Sequence, residues 1–183
     1  MKILLINKFL YPKGGAEVVF SDTTGLLKAR GHEISVFSMV HPRNLSSPFS
    51  AYFVSNVDYE KPNFAQSIKA AGRLIYSWES RRNIERLLFG NKPDIAHLHN
   101  IYHHLSASTF TTLHRLKIPT VLTVHDVFPL CPNHSLLYGQ SLREDLFKKK
   151  LYNCVRYKCI DNRLLPSLAG MLDRLLTRGF RDA

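Results

Sequence analysis

Apolar residues enter this chain first as a block and then at helical spacing. Lys2-Ile-Leu-Leu-Ile-Asn7 is a continuous apolar run with polar ends, the pattern of a strand buried on both faces of a parallel sheet. After a loop holding Tyr11, Pro12, Gly14 and Gly15, the apolar positions Val19, Phe20, Leu26 and Leu27 recur seven apart, as one face of a helix requires. Gly31, just past Lys28 and Arg30, is expected to stop that helix, because glycine takes the left-handed cap conformation cheaply. Ile34, Val36 and Phe37 then supply a second strand. The result is a β-loop-α-β unit, which closes as a right-handed parallel crossover.

The alternation continues. From His41 to Pro62 the chain reads mostly as loop, with a short strand expected at Tyr52-Phe53-Val54. Phe64 to Phe89 reads as a helix, with Ile68, Ala71, Ile75, Trp78, Ile84, Leu87 and Leu88 at three- and four-residue spacings; Gly90 and Pro93 end it. Ile95 to His99 is the next strand, Ser106 to Leu116 the next helix, and Pro119 introduces a strand from Thr120 to Val124. Between His125 and Asn162 the periodicity dissolves, as in loops with a functional role, and Leu164 to Phe180 reads as a last amphipathic helix. The expected class is α/β, a doubly wound parallel sheet with flanking helices. At 183 residues, 45% hydrophobic, the chain has material for one sizeable core, so a single domain over 1–183 is expected.

Composition narrows the setting. The first apolar run is too short for a signal-peptide core, and no run approaches the roughly 18 residues of a membrane-spanning helix. A cytoplasmic protein is expected, possible contact with an anionic inner-membrane surface being left open. The formal charge of +11 sets up a positive field that favours nucleotide phosphates, a lipid-linked sugar, an anionic bilayer or nucleic acid; it equally suits a solvated surface. The basic excess is dense after Leu142, through Arg143, Lys148, Lys149, Lys150, Arg156, Lys158 and Arg163. Cys131, Cys154 and Cys159 form an odd set, so no disulfide framework is expected. A closed zinc site would need a histidine such as His134, and structural thiols are the reading preferred. No metal and no cofactor are expected.

In doubly wound sheets ligands sit outside the carboxyl ends of the strands. Three places qualify. The Gly14-Gly15-Ala16-Glu17 turn opens the first helix; it is either a plain tight turn or a loop whose amides and bare backbone admit a phosphate or carboxylate. Its adjacent glycines, and Ser38 closing the second strand, do not fit a dinucleotide fingerprint. The second place is His97-Leu98-His99-Asn100, followed by Ile101 and Tyr102, and the third is His125-Asp126. Imidazole and carboxamide groups there suit sugar hydroxyls, which need neutral, directional partners. No nucleophile elbow and no Walker loop are present.

Taken together, Lys2 to Asn7, Gly14-Gly-Ala-Glu17, Arg30-Gly-His-Glu-Ile-Ser-Val36, Pro93-Asp-Ile-Ala-His-Leu-His-Asn100, Pro119-Thr-Val-Leu-Thr-Val-His-Asp126 and Leu130-Cys-Pro-Asn133 resemble the amino-terminal domain of family 4 glycosyltransferases. The resemblance implies half of a GT-B fold, Rossmann-like, with an acceptor-side role and a retaining transfer from a nucleotide-sugar. It implies that the Gly14-Gly15 loop borders donor phosphates and acceptor, that Glu17, His99, Asn100, Tyr102 and Asp126 line the substrate, and that the catalytic His125 reaches the transferred sugar. The family's pair of donor-side glutamates seven residues apart has no counterpart here. The expectation is therefore an incomplete amino-terminal domain without the nucleotide-sugar domain, inactive alone and needing a donor-domain polypeptide, in polysaccharide biosynthesis. Two alternatives stand beside it: an inactive truncated remnant, and a basic nucleic-acid-binding module, the latter disfavoured because no binding motif accompanies the charge.

Overall fold

A computed structural model describes residues 1–56, 72–73, 76–102, 104–126, 133, 137–138, 141–142, 152–160 and 162–177. The chain divides into two compact units, Met1–Thr123 and Val124–Ala183.

The first unit is built on a four-stranded, all-parallel sheet of β1 (Lys2–Ile6), β2 (Glu33–Phe37), β3 (Ile95–Leu98) and β4 (Thr120–Leu122), in the order β2-β1-β3-β4. The α/β class expected from the alternation is the one observed. Central β1 is covered on both faces, which is why its sequence is apolar without alternation. Ile3 and Leu5 join Phe20, Val36 and Phe53 on one side. Leu4 and Ile6 join Phe37, Ile84, Leu98, Leu105 and Leu113 on the other, as successive side chains of a strand must.

Helix α1 (Gly15–Ala29) ends as the sequence requires. Gly31 takes φ +80°, its N–H donates to the Lys28 carbonyl at 2.9 Å, and the His32 N–H donates to the Leu27 carbonyl at 3.1 Å, the paired bonds of a Schellman stop. Its buried face is narrower than the repeat suggested. Phe20 is buried and Leu27 packs beside it, whereas Val19 and Leu26, one residue earlier and so about 100° around the axis, are 45% and 61% exposed.

Helix α2 (Trp78–Leu88) corrects the expected helix over 64–89, of which 64–71, 74 and 75 lie outside the described residues. Ser77 is extended and its hydroxyl accepts the Ser80 N–H at 3.1 Å, an N-cap that starts a new helix. The Ser77 N–H is taken up by Ser106 Oγ at 2.9 Å. Ser106 holds φ +60° immediately before α3 (Ser108–Arg115), which begins two residues later than expected. The expected strand at 52–54 is instead a 3-10 turn, Ser50–Tyr52, followed by a single bridge from Val54 to Met39. β3 stops before His99, and β4 stops before Thr123 and Val124. Arg73, 4% exposed, pairs with Glu79 and bonds Ser55, whose N–H and hydroxyl both go to the Glu79 carboxylate.

The second unit corrects the unpatterned reading of 125–162. It holds a short antiparallel pair, β5 (Leu137–Tyr138) and β6 (Ser141–Leu142), then α4 (Tyr152–Arg156) and α5 (Leu164–Thr177). The final helix expected to Phe180 is described as far as Thr177. Cys154 and Cys159 form a disulfide, against the expectation of free thiols. The cause is local: α4 ends in a turn with Lys158 at φ +49°, which brings the two Cα atoms to 4.8 Å, within bridging range. Cys131 lies outside the described residues. Asn133 Nδ2 donates to the Cys159 carbonyl at 2.8 Å, and Ser167 Oγ accepts the Ile160 N–H at 3.0 Å. Among the described residues no helix is long and apolar enough to cross a membrane.

Candidate functional site

The chain leaves β1 toward β2 on one side and returns as β3 on the other, so the strand order reverses between β1 and β3. The crevice of a doubly wound sheet opens at that reversal, beyond the carboxyl ends. Asn7 closes β1 there. Its side chain is fully buried, its Nδ2 donates to the Phe9 carbonyl at 2.8 Å and its Oδ1 accepts the Asn100 N–H at 3.0 Å. The Lys8 N–H donates to the Asn100 carbonyl at 2.9 Å, and the His99 N–H donates to the Ile6 carbonyl at 2.9 Å. The loops after β1 and β3 are thus stitched together by backbone bonds and one carboxamide. Sequence reading treated Asn7 as a strand end; a polar residue at the carboxyl end of the central strand was the available signal.

Gly14 ends the loop that leads from β1 into α1, and Gly15 is the first residue of that helix. Gly14 is extended and is the N-cap, with no side chain capping the helix. A Cβ built on Gly15 would meet nothing within 4 Å, and one built on Gly14 would meet Glu17 Oε2 at 3.6 Å. Neither glycine is therefore demanded by strain or by crowding among the described residues. Glu17, 7% exposed, turns back toward this loop. Its Oε1, and Asn100 Oδ1, are buried acceptors with no hydrogen-bond partner among the described residues. A buried acceptor left unpaired is costly, and a hydroxyl is the simplest group that would pair with it.

His97 in β3 and His99 just past its end lie on the α1 face of the sheet. His97 and His99 have ring centroids 4.4 Å apart, His97 Nε2 stands 2.7 Å from Thr123 Oγ1, and His99 meets Phe20 edge-on at 5.1 Å. His99 is only 1% exposed, so its ring sits inside the sheet-helix layer. Tyr102 is half-buried against the opposite core. His125 and Asp126 belong to the second unit, both partly buried. Of the residues singled out from sequence, Gly14, Gly15, Glu17, His99, Asn100 and Tyr102 share the first unit. Among the described residues no three His, Cys, Asp or Glu side chains gather as a metal site would require.

Beside the Asn7 junction stands a group of rings that sequence reading did not find. Phe9 and Tyr11 are 5.3 Å apart, Tyr11 stacks on His41 at 4.4 Å, and His104 lies 5.6 Å from Phe9. Burial, with the positive charges of Lys8, Arg73 and Lys13, pushes His104 down to about 4. His41 is also lowered, by burial and then by Arg43 and Lys13. Both imidazoles are neutral at pH 7 as a result.

The chain matches Glycosyltransferase Family 4 over residues 13–169. It is also similar to an uncharacterized 42.6 kDa protein in the cps region of Klebsiella pneumoniae, with 24% identity over 148 residues. That stretch is 74% of this chain and 39% of the relative, so the match spans well under half of the longer protein.

Proposed function

Because the chain belongs to glycosyltransferase family 4, its match covering residues 13–169, we propose that the Met1–Thr123 unit forms the acceptor-side wall of a sugar-transfer cleft. The observation that carries this reading is the pair of buried acceptors, Glu17 Oε1 and Asn100 Oδ1, that have no partner among the described residues, beside the loops that follow β1 and β3. They are neutral or anionic oxygens waiting for donors, and acceptor-sugar hydroxyls are donors of the right size and polarity. Gly14 and Gly15 leave room for a ligand to approach the backbone. In this reading the nucleotide-sugar is held by a facing donor domain, on the same or a separate polypeptide. His125 reaches the transferred sugar and Asp126 supports it, in a retaining transfer that depends on positioning and on stabilising the departing diphosphate. The proposed setting is polysaccharide biosynthesis at the cytoplasmic face of a membrane, a reading supported by the likeness to a protein of a cps region.

The test is transfer by this chain supplied with a donor domain, with acceptor and donor varied separately. Asn100→Ala is expected to lower kcat/KM for the acceptor about tenfold or more, as loss of a buried hydrogen bond should, with the donor KM unchanged and the circular dichroism of the wild type. Unchanged acceptor kcat/KM in a folded Asn100→Ala protein would overturn the reading.

A further inference from the structure

Two cations are mounted on the ring cluster that flanks the proposed wall. Lys13 Nζ lies 4.2 Å from the Phe9 ring centre, and the Arg43 guanidinium carbon lies 4.3 Å from that of Tyr11. Both rings are themselves buried, Phe9 at 6% and Tyr11 at 5% exposure. The loops that carry the cations are fixed to each other: Leu10 N–H donates to Asn44 Oδ1 at 3.3 Å, Leu45 N–H to the Leu10 carbonyl at 2.9 Å, and Asn44 Nδ2 to the Met39 carbonyl at 2.7 Å. The Arg43 N–H donates to His41 Nδ1 at 3.1 Å, which assigns the ring proton to Nε2 and makes that atom a donor. Lys8 adds a third positive charge 5.4 Å from the Phe9 ring centre.

Ring faces hold such cations in place but do not neutralise them. Neither Lys13 nor Arg43 has a carboxylate partner among the described residues, whose ion pairs are Arg73–Glu79, Arg81–Glu85 and Arg115–Glu85. Like charges gathered by the fold, without a counter-charge, repel each other at a cost in stability, and an anion relieves it. The positive field is felt by the histidines between them, since Lys13 bears on both His41 and His104.

We propose that Lys13, which directly precedes the Gly14-Gly15 pair, and Arg43, in the loop that follows β2, seated on Phe9 and Tyr11, bind a phosphate group carried by the acceptor. The inference rests on the acceptor-wall reading above. Two full charges match a phosphate dianion or a diphosphate, whereas a carboxylate would leave one uncompensated. The guanidinium supplies a planar fork suited to two phosphate oxygens, and the ammonium supplies a point charge. The ring mountings restrict both side chains beforehand, so less motion is lost on binding.

The 183-residue chain is to be titrated with sodium pyrophosphate, with uridine diphosphate and with phosphatidylcholine vesicles containing phosphatidic acid, following the His41 and His104 ring resonances. Lys13→Gln and Arg43→Gln, both at exposed positions, are each expected to weaken capture about tenfold or more. Lys92→Gln, at the amino end of β3, is expected to leave it unchanged. Capture of pyrophosphate identifies a soluble phosphate, and capture of vesicles alone a lipid-borne one; both support the proposal when lost in the two variants. No capture, capture indifferent to both variants, or tighter capture of uridine diphosphate than of pyrophosphate would overturn it. Failure of the wall reading shows separately, as unchanged turnover of Asn100→Ala.

Discussion

The carboxamide of Asn7 holds the backbone of Asn100 in place: its Oδ1 accepts the Asn100 N–H at 3.0 Å while its Nδ2 is spent on the Phe9 carbonyl at 2.8 Å. Asn100 Oδ1 and the rings carrying Lys13 and Arg43 therefore share one buried anchor.

Asn7→Ala should be costly out of proportion to its size. It orphans a buried N–H and a buried carbonyl, each worth about 1–3 kcal/mol when left unpaired. A loss of roughly 2–4 kcal/mol is expected as a lower urea midpoint at constant slope. A loss under about 0.5 kcal/mol would mean that the loops after β1 and β3 are held by other bonds.

His104 should give the fold an acid-sensitive slope. Its folded value of about 4 lies below the ordinary 6.5, so between those limits the unfolded chain binds a proton that the folded chain refuses. Stability is then full above pH 6.5 and falls as pH drops toward 4, by up to about 3 kcal/mol. Lys8, Lys13 and Arg73 face the ring and deepen the effect. Urea unfolding across this range should show the slope in the wild type and its reduction in His104→Gln; parallel curves would exclude His104 as the source.

The two glycines at the ends of α1 should respond in opposite ways. Gly31→Ala forces a Cβ into φ +80° and is expected to destabilise by roughly 1 kcal/mol. Gly15→Ala meets open space at the first helical residue and is expected to leave the thermal midpoint unchanged or slightly raised. If Gly15→Ala nevertheless lowers transfer in the reconstituted enzyme, the added methyl obstructs ligand rather than fold. Equal thermal shifts in the two variants would contradict this contrast.

Much of the first unit was legible because its signals are local. The unalternating Lys2–Asn7 run, Gly31 and Gly90 mark a buried strand and two helix ends without any knowledge of neighbours. The start of α2 was not legible: Trp78 continues the apolar spacing of Ile75, yet it is 69% exposed, and the break depends on Ser106 receiving the Ser77 N–H. The same holds at the site. Glu17 and Asn100 were found as residues following strands, but their unpaired oxygens became visible only with the packing around them. Lys13 and Arg43 come from loops far apart in sequence, and the bonds of Leu10 to Asn44 and Leu45 bring those loops to one ring cluster. The disulfide was missed because the turn at Lys158 that closes it carries no glycine.

The sheet order also bears on how the chain is made. Ile3 lies opposite Ile34 on one side and Ile95 on the other, so β1 is flanked on its second edge only once the chain has been made as far as Ile95. During synthesis that edge stays open and apolar, in need of shielding until Ile95–Leu98 arrives.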